Sequence, residues 1–159
     1  MNMIVISQAL LVTAVLTAGV IYGTDVFHAL IVRKATALSK DGSIADLMGH
    51  THLVADKRMP VIGMASVLAT AFCLLLNFRH GYTAYLSGAA LLMQLAHLYL
   101  YISIAKPINK KMSDAAVGKI VPSDIRALQN RWESVINYRA ALLTAAMFLL
   151  SVAAIVCGK

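Results

Sequence analysis

The stretch that decides the fold is residues 4–32, IVISQALLVTAVLTAGVIYGTDVFHALIV. A helix that crosses a bilayer needs ~20 predominantly apolar residues. This run exceeds that length, with Asp25 and His28 as its ionisable side chains. Residues 60–77, 83–105 and 138–157 satisfy the same rule. The chain therefore reads as an all-α integral membrane four-helix bundle, a single domain over residues 1–159. The first run is not expected to be a cleaved signal peptide. It lacks a basic leader, and its apolar stretch is about twice the ~7–15 residues of such a segment.

Composition points the same way. Hydrophobic residues make up 60% of the 159 positions and charged residues 13%, against ~45–50% and ~25% in soluble domains. A water-soluble globule of this size cannot hide so much apolar surface, which argues against an ordinary soluble enzyme. The net charge of +7 does not imply nucleic acid, because Lys and Arg sit between apolar runs rather than on one polar face. No nucleic-acid partner is expected; the partners are the lipid bilayer and a hydrophobic small molecule.

The basic residues set orientation. The first connection holds Arg33, Lys34, Lys40, Lys57 and Arg58; the third holds Lys106, Lys110, Lys111, Lys119, Arg126 and Arg131, with Arg139 at its edge. The second has Arg79 and the C-terminus Lys159, a split of twelve against two. By the positive-inside rule the long connections face the cytoplasm and both termini lie outside, as in a bacterial inner membrane. Ser43-Ile-Ala-Asp46 has capping-box spacing, and Ile44, Leu47 and Met48 after it predict a short interfacial helix. Pro122-Ser123-Asp124 predicts a second helix start. No breaker follows until Gly158, so this helix is expected to run unbroken through the last span, roughly 50 Å at 1.5 Å per residue. Cys73 and Cys157 are expected to be unpaired packing residues.

Ionisable groups within a span suggest function. His28 lies about 7 Å from the basic boundary at Arg33, Asp25 about 12 Å from it, and His97 about 13 Å from Lys106, all at the helical rise. The first and third helices thus bring ionisable groups to one layer. Gln94 and Tyr101 flank His97 on its face, while His50, His52 and Asp56 precede the second helix and Trp132, Asn137 and Arg139 lead into the fourth. His50 and His52 alternate, so at most one joins a helical site. His80 stands apart at the outer end. Most small and hydroxyl residues on these faces are read as packing, and Gly19 and Gly23 would allow a close helix contact within the bundle or in a homo-oligomer.

Three chemistries suit such a layer. His97 or His28 could deprotonate an apolar acidic compound at neutral pH, with Asp25 orienting a histidine and Arg139 or Arg58 stabilising the anion. Alternatively His28 and His97 could ligate haem or a transition metal, although no pair has close ligand spacing. A third reading makes Asp25 and His28 the proton relay of a small transporter or leaves the chain an accessory subunit.

Gly19-Val-Ile-Tyr-Gly23 with Phe27-His28, Lys106-Pro-Ile-Asn109, and Arg131-Trp132 followed by Asn137 and Arg139 resemble the anthrone oxygenase-like family of small four-span membrane proteins. The resemblance covers most of the chain through short motifs. It implies an oxygenase that converts a hydrophobic aromatic, anthrone-like or phenolic compound without a required added cofactor. It also implies site roles for Asn109, Trp132 and Arg139, to which the depth of the polar layer adds His28, His97, Asp25, Gln94 and Tyr101. Ile136 stands where that family often has His or Asn, with Asn137 next.

Overall fold

In the computed structural model, which describes residues 2–79 and 81–158, every regular element is helical. His80 and Lys159, assigned from sequence to the outer end, lie outside the described residues. Helix α1 (Met3–Phe27) continues through a π-helical turn (His28–Val32) into α2 (Arg33–Leu38). Helix α3 spans Asp41–Leu76. Helix α4 (Gly81–Leu100) passes through a second π-helical turn (Tyr101–Ala105) into α5 (Lys106–Val117), and α6 (Ile125–Glu133) is followed by α7 (Ile136–Val156).

These elements form four rods of 36, 36, 37 and 32 residues, each long and apolar enough to cross a membrane. At 1.5 Å per residue the longer ones extend roughly 50 Å, against a hydrocarbon thickness of ~30 Å. The surplus of each rod lies at the end carrying most of the Lys and Arg, here called the basic end; Met3 and Val156 mark the opposite, terminal end. Neighbouring rods close a circuit in which α1 packs on α3 and α7, and α4 packs on α3 and α7.

Two sequence expectations need correction. The helix expected to start at Ser43 and lie apart from the second span is the beginning of α3, which starts at Asp41 and runs through Pro60. Proline removes the N–H that would bond the carbonyl four residues back, that of Asp56. A helix supported by neighbours tolerates this loss, and α3 is held by α1, α4 and α5. The apolar residues Ile44, Ala45 and Met48 therefore pack into a buried cluster with Ile108, Met112, Ile125, Trp132 and Ile136 instead of facing lipid headgroups.

The fourth rod is also stepped rather than unbroken. A turn at Ser134 and Val135 separates α6 from α7. Ser134 Oγ donates to the Arg131 carbonyl at 2.7 Å, a local bond that competes with continued helix. Glu133 is meanwhile held by Thr36 Oγ1 (2.8 Å) and Gln129 Nε2 (2.7 Å).

Toward the terminal end, the core is built from small side chains: Ala14, Ala69, Ala90, Ala153 and Cys73 pack with Leu11 and Leu150. Large apolar residues such as Leu16, Phe72, Leu92 and Phe148 face outward. Ser66 Oγ donates to the Ala14 carbonyl (2.9 Å) and Asn77 Nδ2 to Ser7 Oγ (2.8 Å), tying α3 to α1. Cys73 and Cys157 are both buried and unpaired.

Of the two contacts that Gly19 and Gly23 would allow, the one within the bundle is not made. A Cβ at Gly19 would make ordinary contact with Met147, and one at Gly23 would meet nothing within 4 Å. The tight crossing is at Gly49, where a Cβ would lie 2.5 Å from both the Met112 carbonyl oxygen and Ala116 Cβ. Ala for Gly in a helix is itself stabilising by ~0.5–1 kcal/mol, but a backbone clash outweighs that. Gly49→Ala is expected to lose about 1–3 kcal/mol through overpacking, read as a lower melting midpoint in detergent, whereas Gly23→Ala should melt no earlier than the parent.

Candidate functional site

A cavity of about 230 Å³ lies between the two buried clusters, walled by α1, α3, α4, α7, the two π-helical turns, Asn109 of α5 and Trp132 of α6. Asp25, His28, Gln94, His97, Tyr101, Asn109, Trp132 and Arg139 all line it. Its remaining wall is largely apolar, with Ile21, Met59, Met64, Val67, Leu98 and Leu143. The volume lies below the ~300–1,000 Å³ common for ligand pockets, a size that suits a compact ring system.

At its centre, three rods meet through charge. Arg139 Nη2 donates to Asp25 Oδ1 at 2.9 Å, and His97 Nε2 lies 2.9 Å from Asp25 Oδ2. Arg139 Nε also approaches His97 Nε2 at 3.3 Å. One imidazole nitrogen cannot both donate to Asp25 and accept from Arg139. The carboxylate, already paired with a guanidinium, is the stronger acceptor and the closer one. The network therefore assigns the hydrogen to Nε2, pointing at Asp25, and leaves the Nδ1 lone pair of His97 as its basic position. Arg139 Cζ lies 5.7 Å from the Trp132 ring centroid and 6.0 Å from that of Tyr101, within cation–π range.

Around this centre stand polar groups whose partners are incomplete. The rings of His28 and His52 lie 5.0 and 5.3 Å from Trp132. His28 Nδ1, His52 Nε2, Trp132 Nε1, Gln94 Oε1 and Asn109 Oδ1 are buried and bond to none of the described residues. Buried polar atoms are normally satisfied, so their convergence on one cavity favours a polar occupant, water or ligand. Gln94 Nε2 is committed to Ser66 Oγ at 3.0 Å.

Sequence reasoning did not assign the cluster on α3. Tyr101 Oη donates to Asp56 Oδ1 at 3.0 Å, and Asn109 Nδ2 donates to the same oxygen at 2.8 Å. His52 and Asp56 are four residues apart on one helical face, a signal usable only once Asp41–Leu76 is read as one helix. His50 instead faces outward, with Nδ1 on the Asp46 carbonyl at 2.9 Å. Arg58 is exposed and does not line the cavity, so Arg139 alone supplies the cation considered for the anion. Asn137 is not among the lining residues either. Asp25 pairs with His97 and Arg139 rather than locally with His28.

Both π-helical turns sit at this level, opening at His28 and at Tyr101. Such turns carry an extra residue per hydrogen-bonded ring and recur at functional sites. Among the described residues, no group of three or more His, Cys, Asp or Glu side chains is placed to hold a metal ion. Comparison with protein families, with curated proteins and with solved structures gives no match.

Removing one partner of a buried ion pair leaves the other charge uncompensated, at about 3–5 kcal/mol. Asp25→Ala is expected to lower the melting midpoint accordingly. The double variant Asp25→Ala/Arg139→Met should recover most of that loss, because it removes the stranded guanidinium.

Proposed function

We propose that this protein is a membrane-embedded oxidoreductase that uses dioxygen to oxidise a hydrophobic aromatic compound of anthrone-like or phenolic type. On this reading the four rods cross a bacterial inner membrane, with the basic end in the cytoplasm and both termini outside. The outward display of large apolar side chains over a small-residue interior supports insertion, since lipid rather than a packed core would cover them. The observation that carries the chemistry is the Asp25–His97–Arg139 cluster set in an otherwise largely apolar cavity.

The arrangement divides the labour simply. Asp25 fixes the tautomer of His97, leaving Nδ1 to remove an acidic proton from a ring hydroxyl or a benzylic carbon. Arg139 Nη1 bonds to none of the described residues and offers a donor to the oxyanion formed, in surroundings that strengthen such a bond. For an anthrone-like substrate, the carbanion adds to one oxygen atom of dioxygen. Loss of water from the resulting hydroperoxide leaves a carbonyl, so one CH₂ and one O₂ become one C=O and one H₂O. Trp132 and Tyr101 supply flat faces for the rings, and Asn109 and Gln94 retain carbonyl oxygens that can accept from substrate hydroxyls. The resemblance of its short motifs to those of the anthrone oxygenase-like family points to the same reaction class.

Anthrone itself is a suitable test compound, with the protein in lipid nanodiscs and both oxygen uptake and anthraquinone absorbance recorded. Wild-type protein is expected to turn over, and His97→Ala to lose about 10²–10⁴-fold in kcat, the usual contribution of a positioned base. Undiminished oxygen uptake in His97→Ala would remove His97 from the mechanism. An absorbance spectrum of the purified protein separates this chemistry from haem ligation by His28 and His97, since a Soret band requires a haem.

A further inference from the structure

A hydrophobic aromatic compound dissolves in the bilayer rather than in water, so an interior site for one needs a way in from the side. The wall of the cavity is not evenly closed. Its lining residues are buried or half-buried with three exceptions, Thr51, Pro60 and Met64, all on α3. Thr51 lies toward the basic end, near the tight crossing at Gly49. Pro60 and Met64 lie in the apolar body of the rod. Met64 borders the cavity and is still 48% exposed, so the cavity reaches the outer face of the bundle there.

The neighbouring rod leaves this level unfastened. Gln94 Nε2 ties α4 to Ser66 on one side of it, and Tyr101 and Asn109 tie the same rod to Asp56 on the other. Among the described residues no side-chain hydrogen bond joins the two rods in between. The unfastened interval of α3, from Asp56 to Ser66, is roughly 15 Å long at the helical rise. Gly63 stands within it and borders the cavity. A Cβ added there would meet nothing within 4 Å. Glycine inside a helix is destabilising relative to alanine, and packing does not require this one. What the missing side chain leaves is room. Gly23 is equally unobstructed but does not border the cavity.

We propose that apolar ring compounds enter the cavity from the hydrocarbon through a portal between α3 and α4 at Pro60, Gly63 and Met64, and that the bare backbone of Gly63 sets the size of ring that passes. The passage is apolar, with Met59, Val67 and Leu98 lining the cavity beside it. Methionine side chains are unbranched and adapt to irregular guests, which suits Met59 and Met64 to a flat ring moving between them. The open pocket at the basic end is a poorer route for such a compound, because Lys57, Lys106, Lys110 and Asp114 border it. The proposal rests on the reading given above of the rods as membrane spans and of the cavity as the site of an apolar ring. It does not depend on which reaction the cavity performs.

Trp132 is the only tryptophan of the chain and lines the cavity, so its fluorescence in nanodiscs reports the arrival of a quencher without any turnover. Iodobenzene and 1-iodonaphthalene, lipid-soluble compounds that quench on contact, serve as one-ring and two-ring probes. Both are expected to quench the parent protein. Gly63→Ala should lower the quenching constant of 1-iodonaphthalene several-fold and leave that of iodobenzene nearly unchanged, whereas Gly63→Leu should lower both. Gly63→Ala should also melt no earlier than the parent, which separates a narrowed portal from a damaged fold. Gly23→Leu should alter neither constant. Equal constants in the parent and Gly63→Leu would overturn the portal. So would a loss of quenching in Leu53→Phe, a substitution that narrows the basic-end pocket instead, or a parent that neither probe quenches. Absence of anthrone turnover in a parent whose Trp132 is quenched as expected would overturn the oxygenase reading and leave the portal standing.

Discussion

The ion pair between Asp25 and Arg139 is the interaction on which the rest of the structure depends. It joins the first rod to the last, and His97 adds the third. Both charged side chains are almost fully buried. Placing them there is unfavourable unless the two meet with good geometry, so the pair penalises any rotation or slide that would separate them. Together with the ties of Ser66 to Ala14 and Asn77 to Ser7, such a bond sets register in a bundle whose terminal-end contacts are built largely from small side chains. It also determines what the cavity can do, because it orients one imidazole and leaves one face of a guanidinium open.

Much of this was legible in the chain. The four long apolar helices follow from length and apolarity alone. The shared height of Asp25, His28 and His97 follows from counting residues back to the basic boundary, since helical rise is fixed. Trp132 and Arg139 were placed with that layer as the entry to the last helix, while Asn109 came forward through a short motif; the same cavity holds all three. What sequence did not yield has physical causes. Pro60 reads as a helix boundary because a lone helix suffers from it, yet a helix braced on three sides keeps going. That misreading hid the four-residue spacing of His52 and Asp56, and with it the acidic group facing Tyr101. The step at Ser134–Val135 accompanies a long-range bond from Thr36 to Glu133, which no local pattern reports. The π-helical turns have no composition signature at all.

The packing also inverts the arrangement of soluble proteins. Alanine, serine and cysteine line the inter-helix contacts near the terminal end, while leucine and phenylalanine face outward. Small interior residues let backbones approach closely, and hydroxyls such as Ser66 spend their hydrogen bonds on a neighbouring backbone rather than on water. Toward the basic end the pattern changes: larger side chains such as Met48, Ile108, Met112 and Trp132 fill the core. The cavity opens where one packing regime gives way to the other.

The two wide turns have a consequence for how this chain tolerates change in length. Each amounts to a one-residue surplus in an otherwise regular helix, so the segment beyond it is rotated by about 100° relative to an uninterrupted one. The portions of α1 and α4 before the turns are thereby uncoupled in azimuth from α2 and α5 beyond them. Substitutions in the basic-end cluster of Ile44, Met48, Ile108 and Met112 need not disturb the facing of Asp25 or His97, and the reverse holds as well.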